Sequence, residues 1–241
     1  MTSRSETGHV KNVANFETMI SFCTAYGSAY NPSKETLKIT ALNAHLSLSR
    51  TSISECTNTK NHWDLAINER QIAFTPLKPL ATRMINALKA SGASTQTIDD
   101  AQSINKKIQG GRSSAKPAGE EGEEKRTAST SQQSYDNLLE NFARFVDLLA
   151  SEASYKPNEE ELKTESLNTY VQQLRTENTK VIEAATVNSN AMISRDNILY
   201  AVGSGLVDRT ADVKVYVKSL YGASSPQYKQ ISKLQFTRPK N

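Results

Sequence analysis

Two long stretches of this chain place apolar residues at alternating three- and four-residue steps, and neither contains glycine or proline. In residues 33–75 the seam runs Leu42, Leu46, Ser49, Ile53, Cys56, Lys60, Trp63, Ile67, Arg70, Phe74. In residues 158–202 it runs Leu167, Val171, Leu174, Asn178, Val181, Ala185, Asn188, Met192, Arg195, Leu199. That period predicts two long amphipathic, coiled-coil-like helices, each roughly 40 residues and so about 60 Å long. The Ser-, Thr- and Asn-rich run from Thr51 to His62 admits a kink in the first. The better helix former Val181-Ile182-Glu183-Ala184-Ala185 argues for continuity in both.

Shorter helices flank these. Phe16, Met19, Ile20, Cys23 and Tyr26 predict a helix over 13–29, after a loose tail at 1–12; Leu138, Leu139, Phe142, Phe145, Val146 and Leu149 predict one over 135–154. Pro76 and Pro79 end the first long helix, Gly203 and Gly205 the second. Third helices follow at 80–90 and 206–221. Gly92-Ala93-Ser94 and Gly222-Ala223-Ser224 close them and cap fourth helices at 95–108 and 226–236.

The two series are related. Tyr30, Pro32, Glu35, Leu37, Lys38, Leu42, Asn43 and Arg50 recur 125 residues later as Tyr155, Pro157, Glu160, Leu162, Lys163, Leu167, Asn168 and Arg175, eight identities where unrelated segments would share about one. The expected fold class is therefore all-α, with two homologous helical-bundle repeats at 13–108 and 135–241. A flexible Gly/Ser/Glu linker at 109–134 joins them. Each Tyr-x-Pro reads as a turn device: proline at the first turn of the long helix, Glu35 or Glu160 against its positive end, and Tyr30 or Tyr155 plugging the turn.

Composition excludes more than it suggests. At 241 residues, 37% hydrophobic and 7% aromatic, the chain is lean, as suits helices burying one stripe each. The net charge of +4 lacks the clustering of a nucleic-acid interface. No apolar run suffices for a signal peptide or membrane span, which makes the cytoplasm the default location, with extracellular assembly by a signal-less route as the other. Cys23 and Cys56 lack zinc or disulfide spacing and fall at the 125 offset on Leu148 and Val181, so both read as small buried hydrophobes. His9, His45 and His62 have no ligand-spaced neighbours, and Val202-Gly203-Ser204-Gly205 follows a helix rather than a strand, so it is a helix break and not a phosphate loop.

No catalytic, cofactor or metal constellation emerges. The residues singled out are structural or interface candidates: Tyr30, Pro32, Tyr155 and Pro157 at the turns, Trp63 as an anchor found in one half only, and the equivalent Arg70 and Arg195 in the seams. For the arginines the alternatives are a snorkelling contact with the helix end and an inter-helix or inter-subunit ion pair. The basic tail 235–241 reads as frayed, with docking on a neighbouring subunit as the other reading.

The segments Asn12-Val13-Ala14-Asn15-Phe16-Glu17, Ala25-Tyr26-Gly27, Tyr30-Asn31-Pro32-Ser33-Lys34, Asn68-Glu69-Arg70 and Ser225-Pro226-Gln227-Tyr228-Lys229-Gln230 together resemble an uncharacterised family of bacterial two-repeat helical proteins. That family has no assigned activity, so the resemblance transfers no site residues. The expectation is a non-enzymatic structural or self-assembly protein, a homo-oligomer or filament subunit. An adaptor binding a protein partner along a helical groove is the alternative, and a pore-forming helical protein stands third, since it lacks an apolar hairpin.

Overall fold

The structure, a computed structural model, describes residues 4–110 and 133–239. All secondary-structure elements among those residues are helices, with no strand. In chain order the α-helices are α1 (Arg4–Ala25), α2 (Ile39–Phe74), α3 (Leu77–Ala90), α4 (Thr95–Gln109), α5 (Tyr135–Ser151), α6 (Thr164–Tyr200), α7 (Leu206–Tyr221) and α8 (Pro226–Ser232). The predicted linker lies for its greater part outside the described residues. Its edges belong to the helices: Gln109 is the last residue of α4, and the Ser134 hydroxyl caps α5 by accepting from the Asn137 N–H.

The chain divides into two compact units, one made of the chain up to Trp63 together with Ala184 onwards, the other of Asp64–Glu183. Neither unit coincides with 13–108 or 135–241. The first unit takes α1 and the start of α2 from one half of the chain, and the end of α6, α7 and α8 from the other. The second takes α5 and the start of α6, with the end of α2, α3 and α4. Within each unit, the start of one long helix therefore packs against the end of the other, so the divisions fall inside α2 and α6.

Each unit has its own core. In the first, Phe16, Met19 and Cys23 of α1 meet Leu42, Leu199, Leu206, Val213, Val217 and Ile231. In the second, Phe142, Phe145 and Leu149 of α5 meet Phe74, Leu77, Met84, Leu88, Ile108 and Leu167. These lists correct one alignment. Along α1 and α5 the buried positions Phe16, Met19, Ile20 and Cys23 correspond to Phe142, Phe145, Val146 and Leu149, an offset of 126 and not 125. Cys23 thus matches the buried Leu149, and the extra residue falls in the turn before Tyr30, where Gly27 adopts φ 61°. Burial pushes the Cys23 thiol up to about 12, consistent with a packing role.

Several boundaries differ from expectation for identifiable reasons. The loose tail is helical from Arg4, because His9, Asn12 and Val13 are buried on α1. The second short helix ends at Ser151, and Glu152 then accepts from the Ser154 N–H and hydroxyl. Pro32 and Pro157 do not begin the long helices. Each precedes a 3-10 turn, Glu35–Leu37 or Glu160–Leu162, and the α-helix starts only at Ile39 or Thr164. The glutamates hence sit in the first turn of the 3-10 segment, pairing with Lys38 and Lys163 at 2.5 Å in both places. Helix α2 passes through Thr51–His62 as uninterrupted α-helix, with Ser49, Ser52 and Thr59 folding their hydroxyls back onto carbonyls of the preceding turn.

As far as Arg238 the C-terminal segment is tied down rather than frayed, and the last two residues of the predicted tail lie outside the described residues. Asn12, almost fully buried, binds the Thr237 main chain twice through its side chain, its amide donating to the Thr237 carbonyl (2.7 Å) and its oxygen accepting the Thr237 N–H (3.0 Å). Asn15 donates to the Gln235 carbonyl, Lys214 to that of Leu234, and Arg238 bonds Asp208 and the Tyr200 carbonyl. The reason is length. Helix α4 runs to Gln109 and buries Ile104 and Ile108, whereas α8 ends at Ser232, so an extended segment covers the equivalent place and its main chain requires side-chain partners.

Candidate functional site

The Tyr-x-Pro turns are built alike in the two units. Tyr30, 7% exposed, donates its hydroxyl to the Leu37 carbonyl at 2.9 Å; Tyr155, 6% exposed, donates to the Leu162 carbonyl at 2.9 Å. Each ring therefore closes its own turn, bracing the end of the 3-10 segment to the end of the preceding helix. Burial raises both phenols, Tyr155 to about 12. Pro32 is buried and Pro157 half-buried.

The same correspondence governs the contacts between long-helix segments. In the first unit His45 Nε2 bonds the Ile198 carbonyl at 3.1 Å and its ring stands edge-on to Phe16. In the second, Tyr170 donates to the Ala73 carbonyl at 2.7 Å and stands edge-on to Phe142. His45 is held below its ordinary value near 6.5 by burial and then by the Arg209 guanidinium. It is neutral in the fold, and the carbonyl partner requires the proton on Nε2. The unfolded chain binds a proton that the folded chain refuses, so this contribution to stability is complete above about pH 6.5 and is lost as pH falls below it. His45→Gln, which keeps a donor without the titration, is expected to flatten the acid limb of a urea-midpoint against pH curve; an unchanged limb would show that other groups set it.

The two seam arginines end up in different surroundings. Arg70, half-buried in the second unit, donates to Asn178 Oδ1 at 2.9 Å, and Asn178 in turn donates to Asp136 Oδ1 at 2.7 Å; the guanidinium carbon lies 4.0 Å from the Tyr135 ring centre. Arg195, 3% exposed in the first unit, binds its neighbour Asp196 through Nε and Nη2, both at 2.9 Å. The difference follows from the partner position. The residue 125 before Asn178 is Ile53, which offers Arg195 no acceptor. Arg70 therefore forms an inter-helix hydrogen bond, and Arg195 forms an ion pair with Asp196 on its own helix. Trp63 is half-buried, with Lys60 at 6.0 Å from its ring centre. Its Nε1, Arg70 Nε and Glu177 Oε2 are buried without a hydrogen-bond partner in the described structure.

Beside the second turn lies an open groove of about 490 Å³, lined by Ala87 and Ala90 of α3 and by Tyr155, Pro157 and Leu162, together with the polar Arg83, Asn86, Lys156 and Glu159. In the first unit the corresponding place beside Tyr30 is occupied by a ring. There Tyr216 of α7 stands edge-on to Tyr30, ring centres 5.3 Å apart at 88°, and accepts the Asn31 N–H at 3.1 Å. Residue Ala87 occupies the position of Tyr216: the buried residues Leu77, Ala81, Met84 and Leu88 of α3 match Leu206, Thr210, Val213 and Val217 of α7 at an offset of 129. Sequence reasoning passed over this contrast because it aligned the third helices only by the glycines that end them, where the offset is 130. The Tyr-to-Ala exchange was visible once four flanking aliphatic positions fixed the register.

Among the described residues no cluster of His, Cys, Asp and Glu could hold a metal ion, and no helix is long and apolar enough to cross a membrane. No family model matches the chain, and no curated protein and no solved structure is detectably similar to it.

Proposed function

We propose that the chain is a non-enzymatic interaction protein, a duplicated helical unit with interleaved halves that engages a partner protein through the groove beside Tyr155-Lys156-Pro157. The contrast between the two turns carries this reading. The same turn, braced by the same tyrosine-to-carbonyl bond, is filled by Tyr216 in the first unit and open in the second. The groove has the volume of a small binding site, and its wall mixes the apolar Ala87, Ala90, Pro157 and Leu162 with polar side chains. A pull-down comparing the wild-type chain with Ala87→Arg tests it. A stoichiometric partner retained by the first and lost by the second is the expected result, and identical captures would overturn it.

Self-assembly into a homo-oligomer or filament is the second reading, favoured by aliphatic side chains left exposed on the long helices. Leu65 and Ile72, one heptad apart on α2, are 54% and 71% exposed, and Ile182 on α6 is 59% exposed. A second copy could cover them, closing into a ring or extending into a fibre according to symmetry. Light scattering from micromolar to millimolar concentration decides: this reading requires a mass that grows with concentration and falls back in Leu65→Glu/Ile72→Glu, and a monomer throughout would dispose of it.

A further inference from the structure

We infer that the groove of the second unit takes a tyrosine side chain of a partner polypeptide, its ring edge-on to Tyr155 and its hydroxyl accepting the Lys156 N–H. The inference rests on reading that groove as the partner surface. The first unit specifies the occupant. There the equivalent space holds a tyrosine ring, edge-on to the equivalent tyrosine, with its oxygen on the equivalent backbone N–H, that of Asn31. In the second unit the turn is built alike, down to the 2.9 Å bond from Tyr155 to Leu162, but α3 carries only a methyl group at Ala87. An edge-on aromatic pair and one directed hydrogen bond thus await a ring that this unit does not supply.

The chain does not supply it from a second copy either. None of its nine tyrosines is exposed; each is buried or half-buried in its own unit. The hydroxyl gives the selectivity. A phenylalanine ring would fill the same space and leave the Lys156 N–H without its acceptor, and a leucine would lose the edge-on pairing as well.

An NMR titration with N-acetyl-tyrosine amide, N-acetyl-phenylalanine amide and N-acetyl-leucine amide tests the assignment. The tyrosine amide is expected to shift the methyls of Ala87, Ala90 and Leu162 and the Lys156 amide saturably, with a dissociation constant of roughly 1–10 mM for so small a ligand. The phenylalanine amide should bind about 2- to 10-fold more weakly. Ala87→Tyr, which places the ring within the chain as Tyr216 already is, should abolish the shifts. Conversely Tyr216→Ala should open a second site, read at the Asn31 amide. If the leucine or phenylalanine amide binds as tightly as the tyrosine amide, or Ala87→Tyr still binds it, the tyrosine assignment falls while the groove remains a partner surface. If none of the three amides moves a groove resonance, both fall.

Discussion

Tyr155→Ala is expected to destabilise the second unit by about 3–5 kcal/mol, the range for removing a large buried ring, and Tyr30→Ala to cost the first unit more. The asymmetry comes from the surroundings. Both rings are nearly fully buried and both hydroxyls satisfy a carbonyl seven residues on, at Leu37 or Leu162. Only Tyr30 also meets another aromatic ring edge-on, that of Tyr216, and such a pair adds roughly 0.5–1.5 kcal/mol beyond burial. The phenylalanine variants separate the two components. Tyr→Phe keeps the ring and removes the bond, at a cost of about 1–2 kcal/mol at either site, because a buried carbonyl is left without a donor. Urea unfolding of the four variants provides the check. Phenylalanine variants as stable as the wild type would show that the carbonyls find other donors, and the bracing role of the hydroxyls would have to be abandoned.

These turns also show what could be read from the chain alone. The glycine- and proline-free stretches, the alternating steps and the breakers mark which segments are helical, and α7 begins and ends where the pattern says; Ser94 caps α4 as expected, whereas Ser225 and not Ser224 caps α8, and α3 starts at Leu77 with Pro79 inside its first turn. Local chemistry decides such features, so local sequence reveals them. Partnership was not legible. That the start of α2 packs with the end of α6, and the end of α2 with the start of α6, depends on which seam meets which, and both seams have the same period. A pattern of period 3.5 states that a face is buried without stating against what. The anchored C-terminal segment was missed for a similar reason. Its anchor is Asn12, a polar residue on α1, where an apolar-periodicity reading records only an interruption; its counterpart, Leu138, is the ordinary aliphatic residue that a helix covering the same place would need.

The seam arginine gives the second large effect. Asn178→Leu is expected to cost about 2 kcal/mol or more, because it removes the acceptor of Arg70 Nη1 and the donor to Asp136 in one step. Arg70 Nε is already buried without a partner, so the guanidinium has little else to turn to within the seam. Substituting both residues, as in Arg70→Leu/Asn178→Leu, should recover most of that loss, since a buried polar pair replaced by packed aliphatics is often close to neutral while half a pair is not. The first unit supports the sign of this expectation. At the position matching Asn178 it carries Ile53, and there Arg195 counts Asp196 among its partners. Arg70 has no such recourse, for the residue after it is Gln71, which carries no charge to pair with it. A thermodynamic cycle of the two single variants and the double variant measures the coupling directly. Strictly additive costs would show that Arg70 is held by its stacking on Tyr135 and that Asn178 serves Asp136 alone.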